Sequence, residues 1–242
     1  MLDGGAGRGE GERGGRGGAR RPLRRTRGGR VGLPRHNAQP GLARERSHAV
    51  RHPRIVAFSG NAHRPSRTRV LVEAIAAELA RQRRIELKVL DLVDAGPGLG
   101  VTSRDALPLP AARLIEAIEG ADGLIVGSPV YKGSYSGLFK HVIDFLAPDA
   151  LVGKPVAIAA TGGGPRHALM VEHQLRPLFG FFTAHVAPTA VYAGEAEIQD
   201  GAVTDARVAE RVAAAATELA HLLDTAEAAR RARTLPPAAA AL

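Results

Sequence analysis

The chain has no cysteine and no tryptophan, and only two methionines and nine phenylalanines and tyrosines among its 242 residues. Without cysteine the protein cannot form a disulfide framework, use a cysteine nucleophile, or bind zinc or an iron–sulfur cluster through thiolates. No apolar run approaches the roughly 18 residues that a membrane helix requires. No apolar segment follows the arginine pairs near the N-terminus, so a secretory signal is not expected. These absences predict a cytoplasmic protein that does not enter the membrane.

Acidic residues are scarce in one part of the chain only. The formal net charge is +9, yet residues 1–54 hold 14 of the 33 basic and 4 of the 24 acidic residues, a local net charge of +10. Residues 55–242 therefore hold 19 basic and 20 acidic residues, a net charge of −1. The overall charge is a property of the N-terminal segment, and it gives no reason to expect specific nucleic-acid binding by the rest of the chain.

Residues 1–53 form an Arg/Gly-rich extension with few aliphatic side chains. Residues 1–54 hold 13 of the 29 glycines, and such a segment cannot bury enough apolar surface to offset its ordering entropy. We expect it to be disordered. It could tether RNA or bind an anionic surface; we favour a third interpretation, translated upstream sequence without a function, with the true start near Val50.

From Arg54 onward, apolar runs alternate with segments of helical periodicity. The predicted strands are residues 54–59, 85–92, 123–128, 155–160 and 186–192. The predicted helices are one that is capped by Ser66, followed by residues 111–119, 135–146, 167–182 and 205–224. Pro177 should kink the fourth helix or mark a π-bulge. This order predicts an α/β domain over residues 54–225, a doubly wound five-stranded parallel sheet with helices on both faces, and an Ala/Pro-rich tail over residues 226–242.

The loop after the first strand, residues 59–68, is rich in hydroxyl and guanidinium groups and leads into a helix N-terminus. Backbone amides and the helix dipole favour an anion at such a place, most naturally a phosphate. The loop has neither the G-x-x-x-x-G-K-[ST] nor the G-x-G-x-x-G spacing, so a single phosphate monoester fits better than a triphosphate or a dinucleotide. The alternative is a capped helix with a solvated turn.

The loops after the third and fourth strands suit a flat ligand. Residues 129–137 place Tyr131 at the end of a buried strand, and Gly133 and Gly137 permit close backbone approach. Residues 161–164 have no side chain beyond Thr161. Ordinary turns, with Tyr131 as a packing residue, are the alternative. Since ligands of doubly wound sheets bind beyond the carboxyl ends of the strands, the three loops together predict a mononucleotide with a flat apolar head, and FMN has that shape.

Four segments carry a more specific resemblance: PSRT (65–68), ADGLIVGSPVYKGSYSGLFKHVIDFL (121–146), LVGKPVAIAATGGGPRHAL (151–169) and LRPL (175–178). The chain resembles the NAD(P)H-dependent FMN reductases of flavodoxin-like fold over residues 54–224. It is most similar to the branch that supplies reduced FMN to two-component alkanesulfonate or methanesulfonate monooxygenases. His173 stands where the alkanesulfonate enzyme has an inserted tyrosine at a π-bulge, which favours the methanesulfonate type. The alternative is that His173 is simply a polar interface residue.

The resemblance also implies the FMN site. Ser59, Arg64, Ser66, Arg67 and Thr68 would surround the phosphate, and Pro129, Val130, Tyr131 and Lys132 would line one side of the isoalloxazine, with Thr161, Gly162 and Gly163 on another. The family often has G-S-x-R in the first loop where this chain has Ser59-Gly60-Asn61-Ala62-His63-Arg64. His63, Arg64 and Arg67 therefore stand as alternative phosphate partners.

The implied reaction is hydride transfer from the nicotinamide C4 of NADH or NADPH to N5 of FMN. We assign no catalytic acid, base or metal; His167 and Lys132 would position ligand groups. Because no dinucleotide fingerprint is present, we expect weak selection between NADH and NADPH. The implied partners are a flavin-dependent monooxygenase that accepts reduced FMN, and further copies of the chain in a homodimer or homotetramer. We expect apolar surface for such assembly on the third and fourth helices, from these phenylalanines: Phe139, Phe145, Phe179, Phe181 and Phe182.

Two other functions remain open on the sequence. The first is an FMN-containing quinone, azo-dye or metal-oxyanion reductase in which FMN is a prosthetic group. The second is a flavodoxin-like electron carrier, although such carriers tend to be strongly acidic and residues 55–242 carry only −1. Release of FMN from the purified protein would separate the free-FMN reductase from both.

Overall fold

The computed structural model describes residues 51–234, in which strands and helices alternate from Arg54 onward. The strands are β1 (Arg54–Ser59), β2 (Glu86–Asp91), β3 (Gly123–Tyr131), β4 (Ser134–Tyr135), β5 (Pro155–Gly162), β6 (His185–Val186), β7 (Val191–Gly194), β8 (Ile198–Gln199) and β9 (Ala202–Val203). The helices are α1 (Arg67–Gln82), α2 (Leu109–Gly120), α3 (Gly137–Asp144), α4 (Arg176–Phe181) and α5 (Ala206–Thr234). A π-helical turn, Val171–Leu175, directly precedes α4.

The main sheet has the order β2-β1-β3-β5, and β6 and β7 both pair with β5 in the fifth position. All of these pairings are parallel. The order reverses between β1 and β3, which is the switch point of a flavodoxin-like doubly wound sheet. The predicted α/β class is confirmed.

Two apolar layers enclose the sheet because its strands are buried on both sides. Ile55 and Ala57 face the layer that contains α1 and α5, whereas Val56 and Phe58 face the layer that contains α2, α3 and α4. A Cβ at Gly127 of β3 would lie 2.5 Å from Cγ1 of Val72, so a glycine there lets α1 approach the sheet closely. This close approach brings the start of α1 to the carboxyl edge of the strands.

Three strands differ from the prediction. β3 runs on through Pro129 to Tyr131 and pairs antiparallel with β4, so residues 129–133 are part of a hairpin instead of an open loop. β5 includes Thr161 and Gly162, which were expected in the loop. The predicted strand 186–192 is divided into β6 and β7, because Pro188 lies between them and has no N–H to donate to the ladder.

The last helix ends at Thr234, ten residues later than predicted. The extension is rich in good helix formers, and ion pairs fix it to the body. Arg83 contacts Asp224 and Glu227 at 2.8 Å each, and Arg230 Nη1 lies 2.6 Å from Asp122 Oδ1. The helix therefore crosses residue 225, the predicted end of the domain.

The expected π-bulge is present just before Pro177. The N–H of Arg176 donates to the carbonyl of Val171, five residues earlier, which is the π-helical pattern. His173 lies within this turn, and its N–H donates to the carbonyl of Leu169 at 3.0 Å. The irregular turn thus falls where the missing N–H of proline had indicated it.

The expectation of phenylalanines on the surface was largely wrong. Phe139, Phe145, Phe179 and Phe182 are buried in the core, since they face the sheet from their short helices. Phe139 stacks on Phe58 with ring centroids 5.7 Å apart. Phe181 is exposed over 71% of its surface.

The proposed extension and tail fall mainly on residues 1–50 and 235–242, which lie outside the described part. Residues 51–53 lie against the sheet: the N–H of Glu86 donates to the carbonyl of Pro53 at 2.9 Å, and Arg51 contacts Asp122 at 2.9 Å. Between residues 51 and 234 no helix has the length and apolarity needed to cross a membrane.

Candidate functional site

A cavity of about 520 Å³ opens at the carboxyl ends of β1, β3 and β5, next to the switch point. This size lies within the range of small-ligand sites. Its lining brings together parts of all three predicted loops: Asn61, His63, Pro65, Ser66, Arg67, Thr68, Val70, Pro129, Val130, Tyr131, Thr161, Gly162, Gly163, Glu195, Ile198, Asp200 and Gly201. Nine of the twelve predicted site residues are in this set; the exceptions are Ser59, Arg64 and Lys132.

The N-terminus of α1 forms one end of the cavity. Ser66 caps the helix as predicted: its Oγ accepts the N–H of Arg69 at 3.3 Å, and its carbonyl accepts the N–H of Val70 at 3.1 Å. The N–H groups of Arg67 and Thr68 have no acceptor within residues 51–234, as expected for the first turn of a helix. Free amides and the positive end of the helix dipole make this end suitable for an anion.

Arg64 does not line the cavity because two carboxylates outside it hold the guanidinium. Its Nε lies 2.7 Å from Oδ2 of Asp91, and its Nη2 lies 2.8 Å from Asp94 Oδ1. Hydrogen bonds to Asp91 and Asp94 raise the pKa of Arg64 above its ordinary value. Arg64 thus anchors the loop and is not among the residues that line the cavity.

Asp91 is the centre of a buried polar network under the same loop. It is fully buried and accepts hydrogen bonds from Arg64, from Arg69 Nη1 at 2.8 Å and from Asn61 Nδ2 at 3.3 Å. Burial alone would raise the pKa of Asp91, but these donors outweigh it and lower the pKa to about 2. Ser59 belongs to the network too: its hydroxyl is buried and donates to Asn61 Oδ1 at 2.5 Å, so it faces inward and not the cavity.

The β3–β4 hairpin forms a second wall. Lys132 and Gly133 make its turn with φ values of 53° and 83°, a left-handed pair that suits a tight hairpin. The turn carries Lys132 away from the cavity lining, whereas Tyr131, which is more than half exposed, remains in it. Ser136 holds the hairpin base, donating from its N–H to Ser128 Oγ at 3.0 Å and from its hydroxyl to the carbonyl of Gly60 at 3.1 Å.

The end of β5 forms the third wall. Thr161 Oγ1 lies 2.6 Å from Thr68 Oγ1, so a buried hydroxyl pair joins this strand to the start of α1. A Cβ at Gly162 would lie 2.4 Å from the Tyr192 hydroxyl, which donates to the carbonyl of Gly164 at 2.5 Å. A Cβ at Gly163 would meet no heavy atom within 4 Å. Gly163 therefore offers bare backbone to whatever occupies the cavity.

The sequence prediction missed the fourth wall, which is the segment from Glu195 to the β8–β9 hairpin. Asp200 and Gly201 form its turn with φ values of 50° and 76°, and Ile198 is buried beneath it. An Asp-Gly pair between Ile198 and Val203 is a strong hairpin signal that could have revealed this element. Across the cavity, Arg67 Nη2 forms an ion pair with Glu195 Oε1.

The parts present fit FMN. The α1 N-terminus supplies free amides for a phosphate, while Tyr131 and the bare backbone of Gly163 border the space where a flat ring could lie. Pro129 and Val130 add apolar surface to that side. Described residues show no group of three or more His, Asp or Glu side chains that could hold a metal ion.

Comparisons with known proteins match this region. The family model described as NADPH-dependent FMN reductase matches residues 53–197. The chain is 47% identical over 173 residues to the NADH-dependent FMN reductase SfnF of Pseudomonas fluorescens (strain Pf0-1), covering 71% of this chain and 92% of that protein. It is 45% identical over 170 residues to the FMN reductase (NADPH) of Pseudomonas aeruginosa, covering 70% and 91%. A solved oxidoreductase from Corynebacterium diphtheriae is similar with a TM-score of 0.63 and 33% identity, covering 72% of this chain and 98% of that one.

Proposed function

The chain belongs to the NADPH-dependent FMN reductase family and is an NAD(P)H-dependent FMN reductase; we propose that it releases reduced FMN to a flavin-dependent monooxygenase that desulfonates sulfonates. The observation that carries the binding site is the cavity that joins a capped helix N-terminus to the carboxyl ends of β3 and β5. The sulfonate context rests on the resemblance of residues 121–146 and 151–169 to the reductases of such two-component systems.

We propose that FMN is held with its phosphate at the start of α1, where Ser66, Arg67 and Thr68 lie, and with its ring between the β3–β4 hairpin and the end of β5. When bound, FMN supplies the chemistry by accepting a hydride from the nicotinamide of NADH or NADPH. The residues of the chain bind and orient. First-turn amides and Arg67 neutralise phosphate charge, and Pro129 and Val130 exclude water from one side of the ring.

The hydrogen bonds beneath the loop that leads into α1 position the walls of the cavity. The hydroxyl pair of Thr68 and Thr161 fixes the distance between the phosphate end and the ring end of the cavity. Asp91, through Arg64 and Asn61, holds the loop that leads into α1. Because the flavin carries the electrons, the proposed reaction needs no acid or base from the protein.

We propose that both NADH and NADPH serve as reductants. Of the relatives named above, one is called an NADH-dependent FMN reductase and one an FMN reductase (NADPH). The chain has no dinucleotide fingerprint that would fix the rest of the cofactor. Measurement of kcat/KM for both reductants tests the selection; a hundredfold preference for either one would contradict it.

We also propose a cytoplasmic location, because that is where the reductant is regenerated.

We propose that the chain forms a homodimer or homotetramer through the side that carries α3 and α4. Leu138 on α3, Leu169 before the π-helical turn and Phe181 at the end of α4 are large apolar side chains with much of their surface exposed, and a second copy would cover them. Sedimentation of the wild-type protein and of a Phe181→Glu variant tests this. A wild-type monomer at micromolar concentration would refute it.

The deciding experiment is NADH and NADPH oxidation by the FMN-free protein while FMN is titrated from none to saturation. A hyperbolic rise in rate, with reduced FMN accumulating in bulk solution under anaerobic conditions, supports the reductase that releases its flavin. Full activity with stoichiometric FMN and a quinone or azo acceptor would instead indicate a prosthetic flavin. Addition of a sulfonate monooxygenase and its substrate then tests whether the released flavin drives sulfite formation.

A further inference from the structure

An ion pair spans the cavity between its anion end and its fourth wall. Arg67 is the first residue of α1, and Glu195 begins the short 3₁₀ turn Glu195–Glu197 after β7. Arg67 Nη2 contacts Glu195 Oε1, although the two residues are 128 positions apart. Their side chains are 50% and 57% exposed, so both can exchange partners with a dissolved ligand.

The other charged groups of the cavity determine how much this ion pair matters for anion binding. Arg64, the second arginine of the loop, is held by Asp91 and Asp94 and does not line the cavity. Arg67 is therefore the one arginine in the lining formed by the described residues, and it already has a carboxylate partner. Asp200 adds a second acid to the same wall. A phosphate that enters the cavity therefore finds Arg67 already paired with Glu195, and it faces the negative charges of Glu195 and Asp200.

The turn that carries Glu195 is held by hydrogen bonds that do not involve the Glu195 carboxylate. Glu197 Oε2 accepts the N–H of Gly194 at 2.6 Å, and the carbonyl of Glu197 accepts the N–H of Thr204 at 2.9 Å. The turn is therefore anchored on both sides of Glu195 by groups other than the Arg67 pair. Its side chain can leave Arg67 while the wall stays where it is.

We infer that Glu195 competes with the phosphate of FMN for Arg67 and thereby keeps FMN binding weak enough for the flavin to leave after reduction. The inference rests on the proposed function, since it requires FMN in this cavity. In the free protein the carboxylate occupies the guanidinium; in the complex the phosphate, which carries more charge and more acceptor oxygens, replaces it. Each binding event then loses one exposed ion pair, and each release regains it.

The experiment measures equilibrium binding of FMN and of riboflavin to the FMN-free protein by quenching of flavin fluorescence. Riboflavin has the same ring system but no phosphate. Glu195→Gln removes the competing charge with little change in shape, and Asp200→Asn is the matched control because it removes one charge from the same wall without touching Arg67. Circular dichroism melting curves verify that all proteins are folded.

We expect Glu195→Gln to lower the Kd for FMN about fivefold, the upper end for loss of one exposed ion pair, and to change the Kd for riboflavin less than twofold. Asp200→Asn should change the Kd for FMN by less than half of that factor. Equal tightening by both variants would overturn the inference in favour of general cavity charge. Weaker binding of both flavins to Glu195→Gln would show that the pair merely holds the wall.

The outcome for the wild-type protein separates the two proposals. If it binds FMN and Glu195→Gln leaves the Kd unchanged, the competition is refuted while the proposed function stands. If the wild-type protein binds neither flavin in the millimolar range, the FMN site itself is wrong and the inference fails with it.

Discussion

Replacing Asp91 with asparagine removes the charge at the centre of the polar network under the loop that leads into α1. The carboxylate is fully buried and accepts hydrogen bonds from Arg64, Arg69 and Asn61. Asparagine has nearly the same shape, but its amide group would place a donor against guanidinium donors. We therefore expect Asp91→Asn to fold and to be less stable.

The magnitude follows from the pKa of Asp91, which the structure lowers from the ordinary value of 3.8 to about 2. At 1.36 kcal/mol per pKa unit, ionised Asp91 contributes about 2 kcal/mol to the free energy of unfolding. Because the folded pKa lies below the unfolded pKa, this contribution is present above pH 3.8 and is lost as the pH falls through 2. At pH 3 about half of it should remain, roughly 1 kcal/mol.

Urea unfolding of the wild-type and Asp91→Asn proteins at pH 7, 5 and 3 measures this difference. The control is Glu73→Gln, which removes the exposed partner of Arg69 at 2.8 Å and should reduce stability by less than about 0.5 kcal/mol at every pH. A difference for Asp91→Asn below 0.5 kcal/mol at pH 7, or one that does not shrink towards pH 3, would refute the reasoning.

Three further predictions test other parts of the site and the fold. Gly163→Val should raise the Kd for FMN at least tenfold in a fluorescence titration and leave the melting temperature within 2 °C, because Gly163 lines the cavity and a Cβ there would meet no heavy atom within 4 Å. Unchanged binding would contradict the placement of the ring. Thr68→Val should reduce the free energy of unfolding by about 1–2 kcal/mol, because it leaves the buried hydroxyl of Thr161 without its partner; a neutral effect in urea unfolding would show that another group replaces it. Burial lowers the pKa of Lys154 from 10.5 to about 8. The free energy of unfolding of the wild-type protein should therefore increase by roughly 2–3 kcal/mol relative to that of Lys154→Met as the pH rises from 8 to 10.5. Parallel plots of unfolding free energy against pH for the two proteins would refute that.

Most of the fold was predictable because its signals are local. Apolar runs located the strands, helical spacing located the helices, and a serine before the first helical period identified the cap that Ser66 forms on α1. Pro177 indicated the irregular turn in the fourth helix, which is a π-helical turn just before it. These features depend on neighbours within a few positions.

The sequence predictions were wrong where long-range packing decides which side chains are buried. A helix with apolar residues on several sides does not reveal which side faces the sheet, so Phe139 and Phe179 were assigned to the surface although both are fully buried. The Asp200-Gly201 pair is a local turn signal, although the sequence prediction did not include it, and it forms part of a cavity wall.

The sequence by itself determined the order of strands and helices, the fold class, and the three loops that meet at the carboxyl edge of the sheet, because periodicity and turn chemistry are set by adjacent residues. Only the tertiary structure decided which arginine of the first loop faces the cavity. Arg64 and Arg67 are equivalent in the sequence, but Arg64 meets Asp91 27 positions away, whereas Arg67 meets Glu195 128 positions away. Each guanidinium group forms an ion pair with the carboxylate that folding places next to it, and that carboxylate is fixed only when α1, β2 and the segment after β7 are packed together.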